Sequence, residues 1–330
     1  MSKKTLLPII IILLLVPGYF LASYLWPVNL GKQRVTIMVK PGDGFQKIGD
    51  QLLEHEVVKS RAMLFVPARW RGIDKKLVPG RYDFTGRNSC RSVLDKLENG
   101  DFVVVRLTVF EGAPIWKVAS ILSERLELDS AEIVALNSDT AFLNSLGLPC
   151  LEGYLFPETY FIPWGTDARK MISDMVAMHR KQTAGIWPEE IINNLSRDEI
   201  IVMASIVEAE ALIDDEKPRI ASVYQNRIRR KMKLDADPTV IYGLGGLERP
   251  LYRRDLRQDT PYNTYRRRGL PPTPINSPGL SAIKAALYPD STDYLYFVAD
   301  GTGRHRFSRT NAEHNRARYE IRNNVGESSL

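Results

Sequence analysis

The stretch Asp198-Glu-Ile-Ile-Val-Met-Ala-Ser-Ile-Val-Glu-Ala-Glu210 carries the strongest helix pattern in the chain. Its apolar residues recur at spacings of three and four, which place them on one face of a helix. We therefore predict a helix from Arg197 to Ala211. The stretch ends in two glutamates, Glu208 and Glu210, and the positions of these two on the helix differ.

The two glutamates occupy different faces of the predicted helix. The apolar face is formed by Met203, Ile206 and Val207. Glu210 continues this face, whereas Glu208 lies about 200° away around the helix. Burial disfavours the charged form of a carboxyl, so we expect Glu210 to have a raised pKa and to donate a proton. Periodicity alone leaves open that Glu210 is a surface residue in the last turn, and we expect Glu208 to be solvated or bonded to a neighbour.

The N-terminal segment has the composition of a membrane anchor. An apolar run of 21 residues without a charge extends from Leu6 to Trp26, after two lysines. A helix of about 20 apolar residues spans the hydrocarbon layer, and the preceding lysines favour a cytoplasmic N-terminus. We predict a single-pass anchor with the rest of the chain facing outward. A cleaved signal peptide is the alternative, although Leu21-Ala22-Ser23 is a poor cleavage site.

Charge and cysteine content limit the classes of partner and cofactor. The net charge of +6 suits nucleic acid, anionic lipid or an anionic wall polymer. The outward placement disfavours nucleic acid as a partner. Two cysteines, Cys90 and Cys150, cannot form a disulfide scaffold, and the sequence leaves open whether they pair. The histidines lack metal-ligand spacing, so we expect neither a metal nor another cofactor.

Two similar strand-turn-helix patterns follow the anchor. In the first, the β-rich run Val35–Val39 leads through a glycine turn into a helix from Phe45 to His55. In the second, a strand from Val103 to Phe110 leads through another glycine turn into a helix from Ile115 to Leu126. The patterns suggest a duplicated α/β module, with a coincidence between two ordinary segments as the alternative. Later, residues 234–279 are rich in Pro, Gly, Tyr and Asn and are predicted to form a set of ordered loops or a lid.

Several segments resemble the YceG-like endolytic murein transglycosylase family in sequence and in order. The segment Ala204-Ser-Ile-Val-Glu-Ala-Glu210 is similar to its SIVE-x-E motif, and the second glutamate aligns with the catalytic glutamate of other lytic transglycosylases and goose-type lysozymes. Ala209 departs from the lysine that many members carry. The other similar segments are Glu152–Tyr160, Ala221–Arg227, Asp237–Gly243, Tyr262–Tyr265, Gly269–Pro272, Ser277–Gly279 and Tyr296–Asp300.

The resemblance, which runs from about residue 35 to 330, implies an enzyme that cuts peptidoglycan without adding water. Glu210 would protonate the oxygen between N-acetylmuramic acid and N-acetylglucosamine, and would then deprotonate the C6 hydroxyl to leave a 1,6-anhydro end. The implied partners are nascent glycan strands and peptidoglycan synthases, and the implied location is the bacterial inner membrane, with the catalytic domain in the periplasm. A hydrolase would need a second carboxylate, for which Glu152, Glu158 and Asp237 are candidates. A non-catalytic glycan-binding scaffold remains the other alternative.

The fold class that we predict is α+β, with a transmembrane helix, small LysM-like α/β modules and a mixed helical catalytic domain that contains a lysozyme-like active-site helix. The predicted segments are a cytoplasmic tail (1–5), the anchor (6–26), a linker (27–34), a LysM-like region (35–150) and the catalytic domain (151–330). Whether the LysM-like region binds glycan or only spaces the enzyme from the membrane is open.

Substrate contacts are predicted where aromatic faces and polar groups alternate, because sugars need both. These residues are Glu152, Tyr154, Asn226, Tyr262, Asn263, Thr264 and Tyr265. The alternatives are a tyrosine-rich turn packed on the core for the last four and a satisfied core amide for Asn226. The dipeptide Asp237-Pro238 is expected to start a turn. The run Arg266–Arg268 is either a solvated loop or a contact for anionic peptide stems.

Overall fold

The computed structural model describes residues 15, 18–40, 42–188 and 194–327, with side chains up to residue 323. Helices and small antiparallel sheets alternate along this part of the chain, as expected for an α+β protein. None of the helices in the described ranges has the length and apolarity needed to span a membrane. The predicted anchor, 6–26, falls largely on residues outside these ranges, so it stays a prediction.

The chain divides into two compact units. The N-terminal unit contains residues 1–106 and 161–166, and the C-terminal unit contains residues 107–160 and 167–330. The first strand-turn-helix pattern therefore falls in the N-terminal unit, whereas the second begins there and lies mostly in the C-terminal unit. The domain boundaries and the LysM-like assignment given above stay predictions.

The N-terminal unit packs three helices with a short antiparallel ribbon. Its elements are β1 (Val28–Asn29), β2 (Val35–Val39), α1 (Phe45–Glu54), α2 (Arg61–Arg71), β3 (Gly80–Phe84), β4 (Arg87–Asn88) and α3 (Cys90–Asn99). Strand β2 pairs with β3, and alternate residues such as Ile37 and Tyr82 enter the core. The first predicted strand and helix are confirmed. Helix α2 contains Pro67 and has no counterpart among the predicted elements.

The C-terminal unit is mainly helical. The next strands, β5 (Val104–Thr108) and β6 (Thr159–Pro163), contain points at which the chain passes from one unit to the other. The other elements are α4 (Ile115–Leu126), α5 (Ser130–Ala135), α6 (Thr140–Leu146), α7 (Ala168–Thr183), α8 (Arg197–Glu210), α9 (Lys217–Arg229), α10 (Asp237–Gly243), α11 (Leu280–Leu287), β7 (Tyr296–Ala299), β8 (His305–Ser308) and α12 (Asn311–Glu327).

Helix α8 is the centre of this unit. Ser196 and Glu199 form a capping box at its start, which satisfies backbone N–H groups that the helix leaves free. Every residue from Ile200 to Val207 is buried, so the expectation of a single apolar face was wrong. The reason is that α9 and α11 both pack on α8, and these contacts surround it. The predicted bounds of α8 are confirmed to within one residue.

The loop-rich stretch 234–279 contains a helix that was expected to be a turn. Asp237-Pro238 begins α10. Backbone N–H groups in the first turn of a helix have no partner within the helix, so proline, which lacks this group, loses no hydrogen bond there, and its fixed φ fits the turn. An aspartate in the first turn also suits the positive end of the helix dipole. Most of the remaining stretch is irregular, as the composition indicates.

Candidate active site

A cavity of about 510 Å³ opens at the end of α8, and Glu210 forms part of its wall. All of the lining residues belong to the C-terminal unit. They are Glu210, Tyr224, Arg227, Leu234, Asp235, Asp237, Tyr265, Tyr296, Phe297, Val298, Ala299, His305, Asn311, His314, Asn315 and Arg318. Acidic, basic and aromatic side chains therefore face the same space, as in a site that binds a polar ring such as a sugar.

Glu210 is held by a hydroxyl from the neighbouring helix. The Tyr224 hydroxyl on α9 donates a hydrogen bond of 2.8 Å to Glu210 Oε1. Burial raises the pKa of Glu210 to about 7, and the negative charge of Asp237 adds to this rise. The hydrogen bond from Tyr224 and the positive charge of Arg227 act in the opposite direction. A carboxyl in this state carries its proton near neutral pH and can donate it.

Glu208 has opposite surroundings, although it is only two residues away. Its Oε1 accepts a hydrogen bond of 3.0 Å from Lys217 Nζ, and its Oε2 accepts one of 2.9 Å from the Gly279 N–H. Lys217 is itself buried and also pairs with Asp214 at 2.8 Å. Glu208 does not line the cavity. The expectation that Glu208 is bonded to a neighbour is confirmed, and its contacts are those of a structural ion pair.

Two further carboxylates, Asp235 and Asp237, line the same cavity as Glu210. Asp237, at the start of α10, is exposed, and its Oδ1 accepts a hydrogen bond of 2.6 Å from the Tyr265 hydroxyl. Among the three carboxylates named from the sequence as possible partners, Asp237 is the one that lines the cavity with Glu210. Glu158 accepts from the Thr159 N–H, and Glu152 is fully buried away from the cavity lining.

Arg227 fixes one wall of the cavity. Its Nε donates to the Leu295 carbonyl at 2.7 Å, and its Nη1 donates to the Leu234 carbonyl at 2.6 Å. Its guanidinium also lies 5.2 Å from the centroid of the Tyr296 ring. Because these contacts join α9 to the chain before α10 and to the chain before β7, Arg227 holds the cavity walls together as well as charging them.

Two histidines from the C-terminal part of the chain also line the cavity. His314 of α12 stacks on Tyr296, with the ring centroids 5.4 Å apart, and burial lowers the pKa of its imidazole. Its Nδ1 is buried and has no hydrogen-bond partner in the structure. His305 Nδ1 lies 2.9 Å from a carboxylate oxygen of Glu216.

One of the predicted substrate contacts, Tyr265, reaches the cavity. Asn226 donates from Nδ2 to the carbonyls of Thr292 and Tyr294, at 2.8 and 2.9 Å, and does not line the cavity. This is the satisfied core amide that the sequence left open. Thr264 is buried, and its Oγ1 accepts a hydrogen bond from the Ala236 N–H. Thr264 therefore connects the segment Tyr262–Tyr265 to the start of α10.

Four more predicted contact residues lie outside the cavity lining. Tyr154 donates to Asp198 near the start of α8, and the Tyr262 hydroxyl lies 2.7 Å from that of Thr273. The side-chain amide of Asn263 donates to two loop carbonyls.

Glu152 is the fourth of these residues and is fully buried. Its Oε2 accepts from the Ile115 N–H at 3.1 Å and from the Tyr242 hydroxyl at 2.9 Å, and burial raises its pKa to about 7. Glu152 therefore joins the start of α4 to α10 in the interior.

The residues that the sequence did not single out lie mainly on α9 and after residue 295. Tyr224 and Arg227 belong to a segment that resembles the family, but from that segment only Asn226 was selected, because an amide looked like a sugar ligand. Tyr296, His305 and His314 are spaced irregularly in the sequence and converge through the turn between β7 and β8. The resemblance of 296–300 to a family segment was the one signal that could have found this wall.

Comparisons with known proteins agree on one family. The model of the YceG-like family matches residues 37–320. An endolytic murein transglycosylase of Bacillus subtilis is 32% identical over 326 residues, which cover 92% of this chain and 90% of the relative. Another, from Streptococcus pneumoniae, is 28% identical, and the match covers 91% of this chain and 61% of the relative. The crystal structure of a putative yceG-like protein from Listeria monocytogenes has a TM-score of 0.59 at 31% identity, covering 87% of this chain and 99% of that one.

Proposed function

The chain belongs to the YceG-like family, and on this premise we propose that it is an endolytic peptidoglycan lytic transglycosylase with Glu210 as its acid and base. The observation that carries the proposal is the carboxyl of Glu210, whose pKa burial raises to about 7 at the wall of a large polar cavity. Relatives named endolytic murein transglycosylase support the choice of substrate. The product, a 1,6-anhydro-N-acetylmuramic acid end, is part of the proposal.

The reaction needs one group that first gives a proton and then takes one. Protonated Glu210 donates to the glycosidic oxygen, the C1–O bond of N-acetylmuramic acid breaks, and the N-acetylglucosamine part leaves as an alcohol. The carboxylate that remains accepts the proton of the C6 hydroxyl, while O6 bonds to C1 and closes the anhydro ring. Glu210 is protonated again at the end, and no water is consumed. The enzyme is therefore a lyase.

Tyr224 and Asp237 have distinct parts in this scheme. Tyr224 occupies Glu210 Oε1 with its hydroxyl, which fixes the rotamer of the carboxyl, so it is a positioning residue. Asp237 is exposed in the cavity, where its negative charge favours the positive charge that develops at C1 as the bond breaks. Both effects stabilise the transition state more than the bound strand.

The position of Asp237 also favours a second candidate function. Glycosidases that add water use two carboxylates on either side of the scissile bond. Asp237 and Glu210 line one cavity, so hydrolysis by a muramidase is the competing reaction. The two reactions differ in the product, because a hydrolase leaves a reducing end and a transglycosylase leaves an anhydro end.

We propose the location and the partners from the sequence. The uncharged run from Leu6 to Trp26 supports a single-pass anchor in the bacterial inner membrane, with the N-terminus in the cytoplasm and the enzyme in the periplasm. An enzyme held there meets strands as they leave the membrane, so peptidoglycan synthases are the expected partners. A cut in these strands would set their length.

Mass spectrometry of the products tests the proposal. The full chain, purified in detergent, is incubated with nascent, uncrosslinked glycan. We expect new fragments whose ends are lighter than reducing ends by one water, which is the mark of the anhydro ring. Reducing ends would instead establish hydrolysis. Glycan that is bound but not cut would establish a non-catalytic scaffold and reject the proposed function.

A further inference from the structure

A strongly basic surface segment lies beside the cavity. Residues 249–268, here called the arginine loop, contain seven arginines and two aspartates. The arginines are all exposed, and they are Arg249, Arg253, Arg254, Arg257, Arg266, Arg267 and Arg268. The proposed acid–base chemistry uses none of these side chains.

Several of these arginines form no ion pair with any residue that the structure describes. Asp255 pairs with Arg249 at 2.7 Å, and Asp259 pairs with Arg267 at 3.1 Å and with Arg266 at 3.6 Å. In the described part of the chain, no carboxylate lies within 4.0 Å of the remaining guanidinium groups. These groups belong to Arg253, Arg254, Arg257 and Arg268. An anion from outside can therefore approach them without displacing an internal ion pair.

Internal hydrogen bonds hold the arginine loop in one conformation. The fully buried Asn263 donates from Nδ2 to the Leu256 carbonyl at 3.0 Å and to the Gln258 carbonyl at 2.6 Å. Its Oδ1 accepts from the Tyr265 N–H at 2.9 Å. These bonds connect the first arginine-rich part of the loop to the second, and a turn separates the two parts in the sequence. The backbone that carries the charges is thus ordered before any ligand binds, which lowers the entropy cost of binding.

The end of the arginine loop lies next to the wall of the cavity. Tyr265 lines the cavity directly, and the Thr264 carbonyl accepts from the N–H of the lining residue Asp235. Arg268 forms an antiparallel bridge with Lys233, which precedes the lining residue Leu234. The end of the arginine loop and the cavity therefore share one edge.

We propose that the arginine loop binds the carboxylates of the peptide stems carried by the glycan strand in the cavity. This inference rests on the proposed function, since it assumes that a muropeptide polymer occupies the cavity. Peptide stems are attached to the muramic acid units of such a strand and carry free carboxylates. The planar, permanently charged guanidinium binds a carboxylate through two parallel hydrogen bonds. The enzyme accordingly prefers strands whose stems are still attached.

The test compares one variant on two substrates. The full chain with Arg253→Gln, Arg257→Gln and Arg268→Gln is assayed on strands with intact stems and on strands from which an amidase has removed them. The loss of three exposed ion pairs should raise the KM for stem-bearing strands by about 3- to 150-fold, with the largest rise at low salt. The KM for stem-free strands and kcat on both substrates should stay unchanged.

A matched control replaces exposed arginines elsewhere in the same unit, with Arg125→Gln and Arg230→Gln, and should change neither KM. An equal rise in KM on both substrates would overturn the proposal, because the loop would then act on the strand through general charge alone. An unchanged KM on stem-bearing strands would also overturn it.

The two proposals can fail separately. If the wild-type chain cuts neither substrate, the proposed function is rejected. Co-sedimentation of the Glu210→Gln protein with stem-bearing and stem-free glycan then still decides whether the arginine loop recognises stems. Retention that depends on stems, and that the triple variant loses, supports the inference. Equal retention by both kinds of glycan rejects it.

Discussion

The last turn of helix α8 places two glutamates in opposite electrostatic surroundings. Glu208 meets the ammonium group of Lys217 and a backbone N–H, which balance its negative charge inside the protein. Glu210 meets a tyrosine hydroxyl and the wall of a cavity, and burial raises its pKa to about 7. Both side chains follow a stretch of the helix, Ile200 to Val207, in which every residue is buried. The difference teaches that the partner of a buried carboxyl, rather than its face on the helix, decides whether it is structural or reactive.

The largest effect on activity is expected for a substitution of Glu210. Glu210→Gln keeps the size of the side chain but removes the transferable proton, so activity should fall by about 10²–10⁴-fold. The measurement is the rate of release of new glycan ends, with circular dichroism as the check of the fold. A Glu210→Gln protein that retains its activity would remove the distinction between the two glutamates.

The same variant has a stability signature with a definite sign. Because the folded-state pKa of Glu210 lies above that of the unfolded chain, folding binds protons between about pH 4.5 and 7, and stability falls as the pH rises through that window. Glu210→Gln should lose this part of the pH dependence. Urea unfolding at pH 5 and pH 8 compares the two proteins.

The next prediction concerns Glu208, whose carboxylate pairs with Lys217. Glu208→Gln leaves Lys217 buried with one of its charge partners removed, which should cost about 2–4 kcal/mol of the free energy of unfolding. The activity of the folded fraction should change far less than in Glu210→Gln. Replacing both partners, with Glu208→Gln and Lys217→Met, should recover part of the lost stability. Urea unfolding measures both variants, and a stable but inactive Glu208→Gln protein would show that the pair acts as a unit in catalysis.

The smallest effect is expected for the hydroxyl that positions Glu210. Tyr224→Phe removes a hydrogen bond that lowers the pKa of Glu210, so the pKa should rise further. Since the reaction starts from protonated Glu210, kcat/KM should fall above about pH 7 in the wild type, and this fall should move to higher pH in the variant. Activity should drop by about tenfold through loss of orientation. Tyr262→Phe, whose hydroxyl lies on Thr273, is the control and should not move the pH profile.

The local structure around the candidate site could largely be predicted from the sequence. Periodicity gave α8 to within a residue, because long helices repeat one spacing over several turns. It failed at α10, where Asp237-Pro238 fits both a turn and the first turn of a helix. It also selected Glu210 by an argument that was too narrow, since Ala204 and Ser205, which lie on the same side of the helix as Glu208, are buried as well.

The composition of the cavity could not be predicted, because it depends on contacts between distant segments. Asn226 and Asn263 have the side chains of sugar ligands, but backbone carbonyls use their donors. No spacing in the sequence shows which carbonyls will lie nearby. Conversely, His314 and Tyr296 gave no local pattern, and they meet only because β7 and β8 form a hairpin that returns the chain to the cavity.

Several of the residues that pack on helix α8 follow it in the sequence and are therefore made after it. Asn276 and Gly279 bond to α8, helix α11 packs on it, and the segment from 296 to 318 supplies one wall of the cavity. A ribosome makes all of these after Glu210. A nascent chain that ends before Leu280 therefore carries Glu210 without helix α11 and without one wall of its cavity. Synthesis that stops early, or cleavage that removes this last part, yields a fragment whose site is incomplete.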